Sequence, residues 1–68
     1  MKLTALQRDV LVMLEEAGSE TIGTVVATLK PVENDFAAQT DQLARLGLIS
    51  RQGNTLVLTD EGRVALVT

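Results

Sequence analysis

Leu43-Ala44-Arg45-Leu46-Gly47-Leu48-Ile49-Ser50-Arg51 runs a helix end, a stop and a strand start together. A helix with its apolar side at Phe36, Thr40 and Leu43 reaches Leu46, stops at Gly47 and passes at once into an apolar strand start, Leu48-Ile49. Glycine takes the left-handed C′ conformation without steric penalty, and in a Schellman-type end the next apolar residue, Leu48, folds back on the last helical turn. The strand runs into Gln52-Gly53-Asn54 and a second strand, Thr55-Leu56-Val57-Leu58-Thr59. Helix, stop and short hairpin therefore occupy Asp35 to Thr59, and the rest of the chain must fit around them.

The register of that hairpin follows from its loop. With Gly53-Asn54 as a two-residue turn, Ile49 lies opposite Leu58 and Arg51 opposite Leu56, which puts Ile49, Leu56 and Leu58 on the core side. A slip of one residue would turn the apolar set of a strand to solvent, so the shorter loop is favoured. Arg51 is then expected to lie along Leu56 with its guanidinium free at the hairpin edge, either touching a phosphate or shielding an exposed strand edge.

Upstream, Thr4 is an N-cap with Gln7 completing a capping box, and the helix that follows runs to about Ala17 before Gly18 ends it. At about 100° per residue, Leu6, Val10, Met13, Leu14 and Ala17 share one face. Leu11 and Val12 widen the apolar arc, either packing under the C-terminal segment or facing a partner subunit. Ser19-Glu20-Thr21 links to a second helix starting near Gly23 or Thr24, with Ile22, Val25, Val26 and Leu29 on its inner side. Its β-branched content makes it a weak helix that depends on tertiary packing. Pro31 ends the helix and restricts Lys30 to extended geometry, so Lys30-Pro31-Val32-Glu33-Asn34 is the turn. Asn34 or Asp35 caps the third helix, in which Phe36, Thr40, Leu43 and Gly47 point inward and Ala37, Ala38, Asp41, Gln42 and Arg45 outward. Thr59 caps a last helix, with Asp60 and Glu61 in its first turn, and Val64-Ala65-Leu66-Val67 either closes over the first helix or supplies a small interface.

In this order of elements the chain resembles a winged helix-turn-helix domain, most similar to those of MarR-type transcriptional regulators. The likeness is carried by Thr21-Ile22, Leu29, Leu43, Gly47-Leu48-Ile49, Arg51 and Leu58-Thr59-Asp60-Glu61-Gly62-Arg63. It implies a mainly α fold with a small β-hairpin, of the α+β class, in which Thr21-Ile22 makes a single strand-like bridge to the wing. A three-helix core, a short wing and a short C-terminal helix would form a single domain over residues 1–68. It also implies a small DNA-binding regulator whose contacts to double-stranded DNA are Lys30, Gln42, Arg45, Arg51, Asn54 and Arg63. MarR-type proteins dimerise through long helices at both ends, which these residues do not include, so any homodimer is expected to be weak and of another kind.

Composition bounds the alternatives. A chain of 68 residues buries only ~60% of the surface of its extended form, so nearly every apolar residue is needed. There is no cysteine and no histidine, which removes disulfides, the usual zinc sets and imidazole acid-base chemistry. Ser19 and Ser50 have no base to activate them, and the adjacent carboxylates Glu15 and Glu16 diverge on a helix. No enzyme activity, cofactor or metal is expected. Phe36 is the lone aromatic residue and faces the core, so base stacking on RNA or single strands is disfavoured. The longest unbroken apolar run, Val10 to Leu14, is far too short to span a membrane, and the expected address is the cytoplasm.

Charge argues against the implied function. Six basic against nine acidic residues leave a net charge of -3, whereas a nucleic-acid binder ordinarily shows a basic footprint. The third helix offers Asp35, Ala37, Ala38 and Asp41 where base-reading side chains are expected, and Ala38 stands where MarR-type helices often carry Arg or Lys. Glu33 and Asp35 place negative charge where a phosphate would approach, although an acidic first turn also simply complements the helix dipole. A winged-helix module that binds a protein partner instead of DNA is the alternative that this surface supports.

Overall fold

A computed structural model describes residues 2–67, with position 33 described for its backbone alone. Among these residues the order is α1 (Ala5–Ala17), β1 (Ser19–Thr21), α2 (Ile22–Leu29), α3 (Glu33–Arg45), β2 (Ile49–Gln52), β3 (Thr55–Leu58) and α4 (Asp60–Val67). The strands form an antiparallel sheet in the order β1-β3-β2, in which β2 and β3 are the wing. The architecture is a winged helix-turn-helix of the α+β class, as expected.

Local chemistry sets most of the boundaries. The Thr4 hydroxyl oxygen accepts from the Gln7 amide at 3.1 Å, and the Gln7 side-chain oxygen accepts from the Thr4 amide at 3.0 Å, completing the capping box. At the end of α1, Gly18 takes a φ of 82°. Val10, Leu11 and Leu14 are fully buried, whereas Val12 is 42% exposed. The apolar arc of α1 is therefore narrower than expected: it takes in Leu11 but leaves Val12, and also Ala17, in solvent.

Between α1 and α2 the strand is longer than the expected Thr21-Ile22 bridge. Ser19, Glu20 and Thr21 pair with Val57, Leu56 and Thr55, and the Ile22 amide donates to the Asn54 carbonyl at 2.7 Å. Helix α2 starts at Ile22 because Thr21 is its cap, its hydroxyl oxygen accepting from the Thr24 amide at 3.2 Å. Val25 is fully buried and Ile22 and Leu29 pack against the core, but Val26, expected on the inner side, is half-exposed. Lys30 is not extended. It closes α2 in the left-handed region, φ 49°, with its amide donating to Val26 O at 2.8 Å, so the helix-ending bond outweighs the preference imposed by Pro31.

Helix α3 begins one residue or more before the expected caps. Val32 is its N-cap and supplies no side-chain bond, while Asn34 and Asp35 lie inside the first turn. Phe36, Thr40 and Leu43 are buried and Ala37, Ala38, Asp41, Gln42 and Arg45 exposed, in agreement with the helical wheel. The Thr40 hydroxyl is satisfied by donating to the Phe36 carbonyl at 2.9 Å. The helix ends at Arg45, with Leu46 as C-cap. Beyond it the Gly47 amide bonds Ala44 O at 3.1 Å and the Leu48 amide bonds Leu43 O at 3.0 Å, the two bonds of a Schellman end, with Gly47 at φ 77°. Gly47 itself is exposed rather than inward, and Leu48 is a buried bend residue, with β2 starting at Ile49.

The wing has the expected register, Ile49 opposite Leu58 and Arg51 opposite Leu56. Gly53, at φ 62°, is the only one of the two loop residues with positive φ, the type II′ pattern that calls for glycine in first place. Ile49, Leu56 and Leu58 join Phe36 and Leu43 in the core. Thr59 then links three elements. Its hydroxyl donates to Gly47 O at 2.6 Å and accepts from the Gly62 amide at 3.0 Å, capping α4, while its own amide donates to Leu48 O at 3.2 Å. Gly62 is buried against this junction, where a Cβ would overlap the Leu48 carbonyl oxygen and stand 2.6 Å from Leu58 Cδ1. Of the apolar tail, Ala65 and Leu66 pack on the core, while Val64 and Val67 stay exposed.

Candidate nucleic-acid interface

Helix α2, the Lys30-Pro31 turn and α3 form the helix-turn-helix, and the wing lies beside α3. Three sides of α3 have distinct chemistry. The inner side is the buried set around Phe36 and Leu43. A second side meets the start of α1 through a polar seam that the sequence reading missed. Gln7, only 2% exposed, donates from Nε2 to Gln42 Oε1 at 3.0 Å and to Gln39 O at 3.4 Å, and the Thr4 hydroxyl donates to Gln39 Oε1 at 2.6 Å. A signal was present, since Gln7 occupies the stripe otherwise filled by Leu3, Val10 and Leu14. Gln39 also donates to the Asp35 carboxylate at 3.3 Å.

The remaining side of α3 carries Ala38, Asp41 and Arg45 and faces solvent. Arg45, in the last turn, complements the negative end of the helix dipole. Neither Arg45 nor Lys30 has an ion-pair partner among the described residues. Arg51 does not project freely, contrary to expectation. Its Nη1 stands 3.9 Å from Asp41 Oδ1, with both side chains more than half exposed. A pair this long and this solvated contributes ~0–1 kcal/mol, so it orients the guanidinium more than it stabilises the fold.

The six expected contact residues are thus only partly brought together. Lys30 is in the turn, Arg45 ends α3, Arg51 is on the wing strand next to α3, and Asn54 is in the wing loop, its carbonyl bound to the start of α2. Gln42 is exposed, but its side-chain oxygen is committed to Gln7. Arg63 is elsewhere. It lies one turn into α4 at the base of the wing, where its Nε meets Glu15 at 3.1 Å and its Nη1 meets Asp60 at 3.4 Å, clamping α4 to α1. The side chain of Glu33 lies outside the described residues. No set of acidic residues that would hold a metal occurs among the described residues, and no helix among them is long and apolar enough to cross a membrane.

A transcriptional repressor shares this architecture. The structure of the repressor CouR bound to p-coumaroyl-CoA superposes with a TM-score of 0.84 at 32% sequence identity, over 97% of this chain and 49% of that one. The chain therefore spans about half the length of the repressor it matches. No protein-family model matches it, and neither does any curated protein sequence. The two proteins therefore share one fold over nearly the whole of this chain.

Proposed function

We propose that residues 1–68 act as one DNA-binding unit of a MarR-type transcriptional regulator, docking α3 in the major groove of double-stranded DNA with the wing along the adjacent backbone. The observation that carries this reading is the superposition on a transcriptional repressor over 97% of the chain. Lys30, Arg45 and Arg51 supply the phosphate contacts, Asn54 joins them from the wing loop, and Gln42 offers its remaining amide hydrogens to a base edge. Arg63 is left out of the docking count because Glu15 and Asp60 already hold it.

Charge limits the strength of such binding. Roughly three phosphates, at ~0.9 counterion each, give a slope of log K against log salt no steeper than about -2.7 for one protomer. Asp35 and Asp41 oppose even that, so the dissociation constant for random duplex at physiological salt should be no tighter than ~10⁻⁵ M. A fluorescence-anisotropy titration of a labelled duplex across a salt series tests both figures. Nanomolar binding of random duplex by a monomer near physiological salt would refute this account of the charges. Absence of binding even at low salt would refute groove docking and favour a protein-interaction module, for which the small and acidic surface of Ala37, Ala38 and Asp41 is suited.

A further inference from the structure

We propose that Asp41 is the specificity-determining residue of the recognition helix, penalising duplex wherever its carboxylate does not meet a cytosine N4 amino group. The inference rests on the DNA-binding reading above and adds the base class that the helix selects. Asp41 sits in the middle of the solvent-facing side of α3, with the small side chains of Ala37 and Ala38 one turn before it and the Arg51 guanidinium beside one of its oxygens. The other polar groups on the exposed surface of α3 are largely committed: Asp35 to Gln39, Gln39 to Thr4, and Gln42 Oε1 to Gln7. Asn34, Asp41, Arg45 and the amide hydrogens of Gln42 keep capacity for a base, and among them Asp41 is the carboxylate, an acceptor that only a donor can match.

The chemistry of the groove then selects the base. A carboxylate is an acceptor with two oxygens, and Arg51, at 3.9 Å from Oδ1, leaves Oδ2 open. In the major groove guanine presents two acceptors and thymine an acceptor and a methyl group, so both repel it. Adenine offers its N6 amine beside the N7 acceptor, a pattern that suits an amide better than a carboxylate. Cytosine presents the N4 donor alone and is the matched partner. Everywhere else Asp41 repels phosphate, and its solvated pair with Arg51 offsets part of what that cation contributes to non-specific binding.

The test is selection of duplexes from a randomised library at low salt by the full chain and by Asp41→Asn, with salt titrations of both on random duplex. Asp41 is exposed, so the variant retains the fold. The wild-type chain should enrich cytosine at one position by at least ~5-fold over other bases, and Asn, which pairs with adenine N6 and N7, should switch that position to adenine. On random duplex the variant should bind more tightly at every salt concentration, because one repelling carboxylate is gone, with the slope of both chains no steeper than about -2.7. An unchanged base preference at every position in Asp41→Asn would overturn the assignment and leave DNA binding standing. So would binding by the wild-type chain without any base enrichment. Failure of the wild-type chain to bind duplex at all would overturn both readings.

Discussion

Replacing Gly62 by alanine should destabilise the protein, although glycine to alanine within a helix ordinarily does the reverse. The intrinsic gain in an α-helix is ~1 kcal/mol. Against it stands the packing of the first turn of α4 on the wing junction. The new methyl would overlap the Leu48 carbonyl oxygen and approach Leu58 Cδ1 to 2.6 Å, about 1 Å inside the ~3.5–4.0 Å optimum for two carbons. A rotamer change of Leu58 relieves the second contact but not the first, because the Leu48 carbonyl is backbone and already accepts the Thr59 amide. Helix α4 must therefore move outward, loosening Ala65 and Leu66 from the core. Overpacking of this kind costs ~1–3 kcal/mol, and a backbone obstacle puts it at the upper end, for a net loss of ~1–2 kcal/mol. In a domain of this size that lowers Tm by roughly 4–16 °C. The chain has no tryptophan or tyrosine, so far-UV circular dichroism during urea and thermal unfolding is the suitable readout. Gly23→Ala is the control, since nothing lies within 4 Å of a Cβ there and its φ is not positive; it should gain ~0.4–1 kcal/mol. A Gly62→Ala variant as stable as the parent, or more so, would refute the packing described at the wing junction.

Other substitutions probe the remaining supports. Gly47→Val should cost at least ~1–2 kcal/mol through backbone conformation alone, since space around Gly47 is open, whereas Gly47→Asn should cost less; equal losses in urea unfolding would contradict the left-handed stop. Phe36→Ala should cost ~3–5 kcal/mol and leave much of the chain unfolded by circular dichroism, and a loss below ~1 kcal/mol would mean that α3 is out of register. Gln7→Ala removes half of the capping box together with the bonds to Gln39 and Gln42, and should cost ~1–3 kcal/mol in the same assay.

What could be read in advance was whatever a short window determines. The stop at Gly47, the capping box of Thr4 and Gln7, and the wing register each follow from neighbouring residues, because glycine conformation, side-chain reach and strand alternation are local constraints. Strand β1 was harder, since Ser19-Glu20-Thr21 has no apolar alternation and becomes a strand only through β3, remote in sequence. Asn34 and Asp35 resembled caps by residue type, yet α3 starts at Glu33 and turns both into ordinary first-turn residues. At the candidate interface the same division holds. The outward positions of α3 followed from helical period, whereas the partners of Arg51 and Gln42 and the Glu15 partner of Arg63 sit on other elements, and no local pattern announces them.

The junction at Thr59 also shapes how the molecule opens. The amides of Thr59 and Gly62 and the Thr59 hydroxyl close on one another around Leu48 and Gly47. Breaking one of these bonds exposes the acceptors of the others, so the end of α3, the base of the wing and the start of α4 should open as one cooperative unit. Solvent exchange at these backbone positions should then be controlled by a shared opening event, while the Gly53-Asn54 loop is fastened separately, through the Asn54 carbonyl that accepts from the Ile22 amide. The wing is thus held at both ends, its root by Thr59 and its tip by α2, so a load on the tip is passed to the first turn of α2.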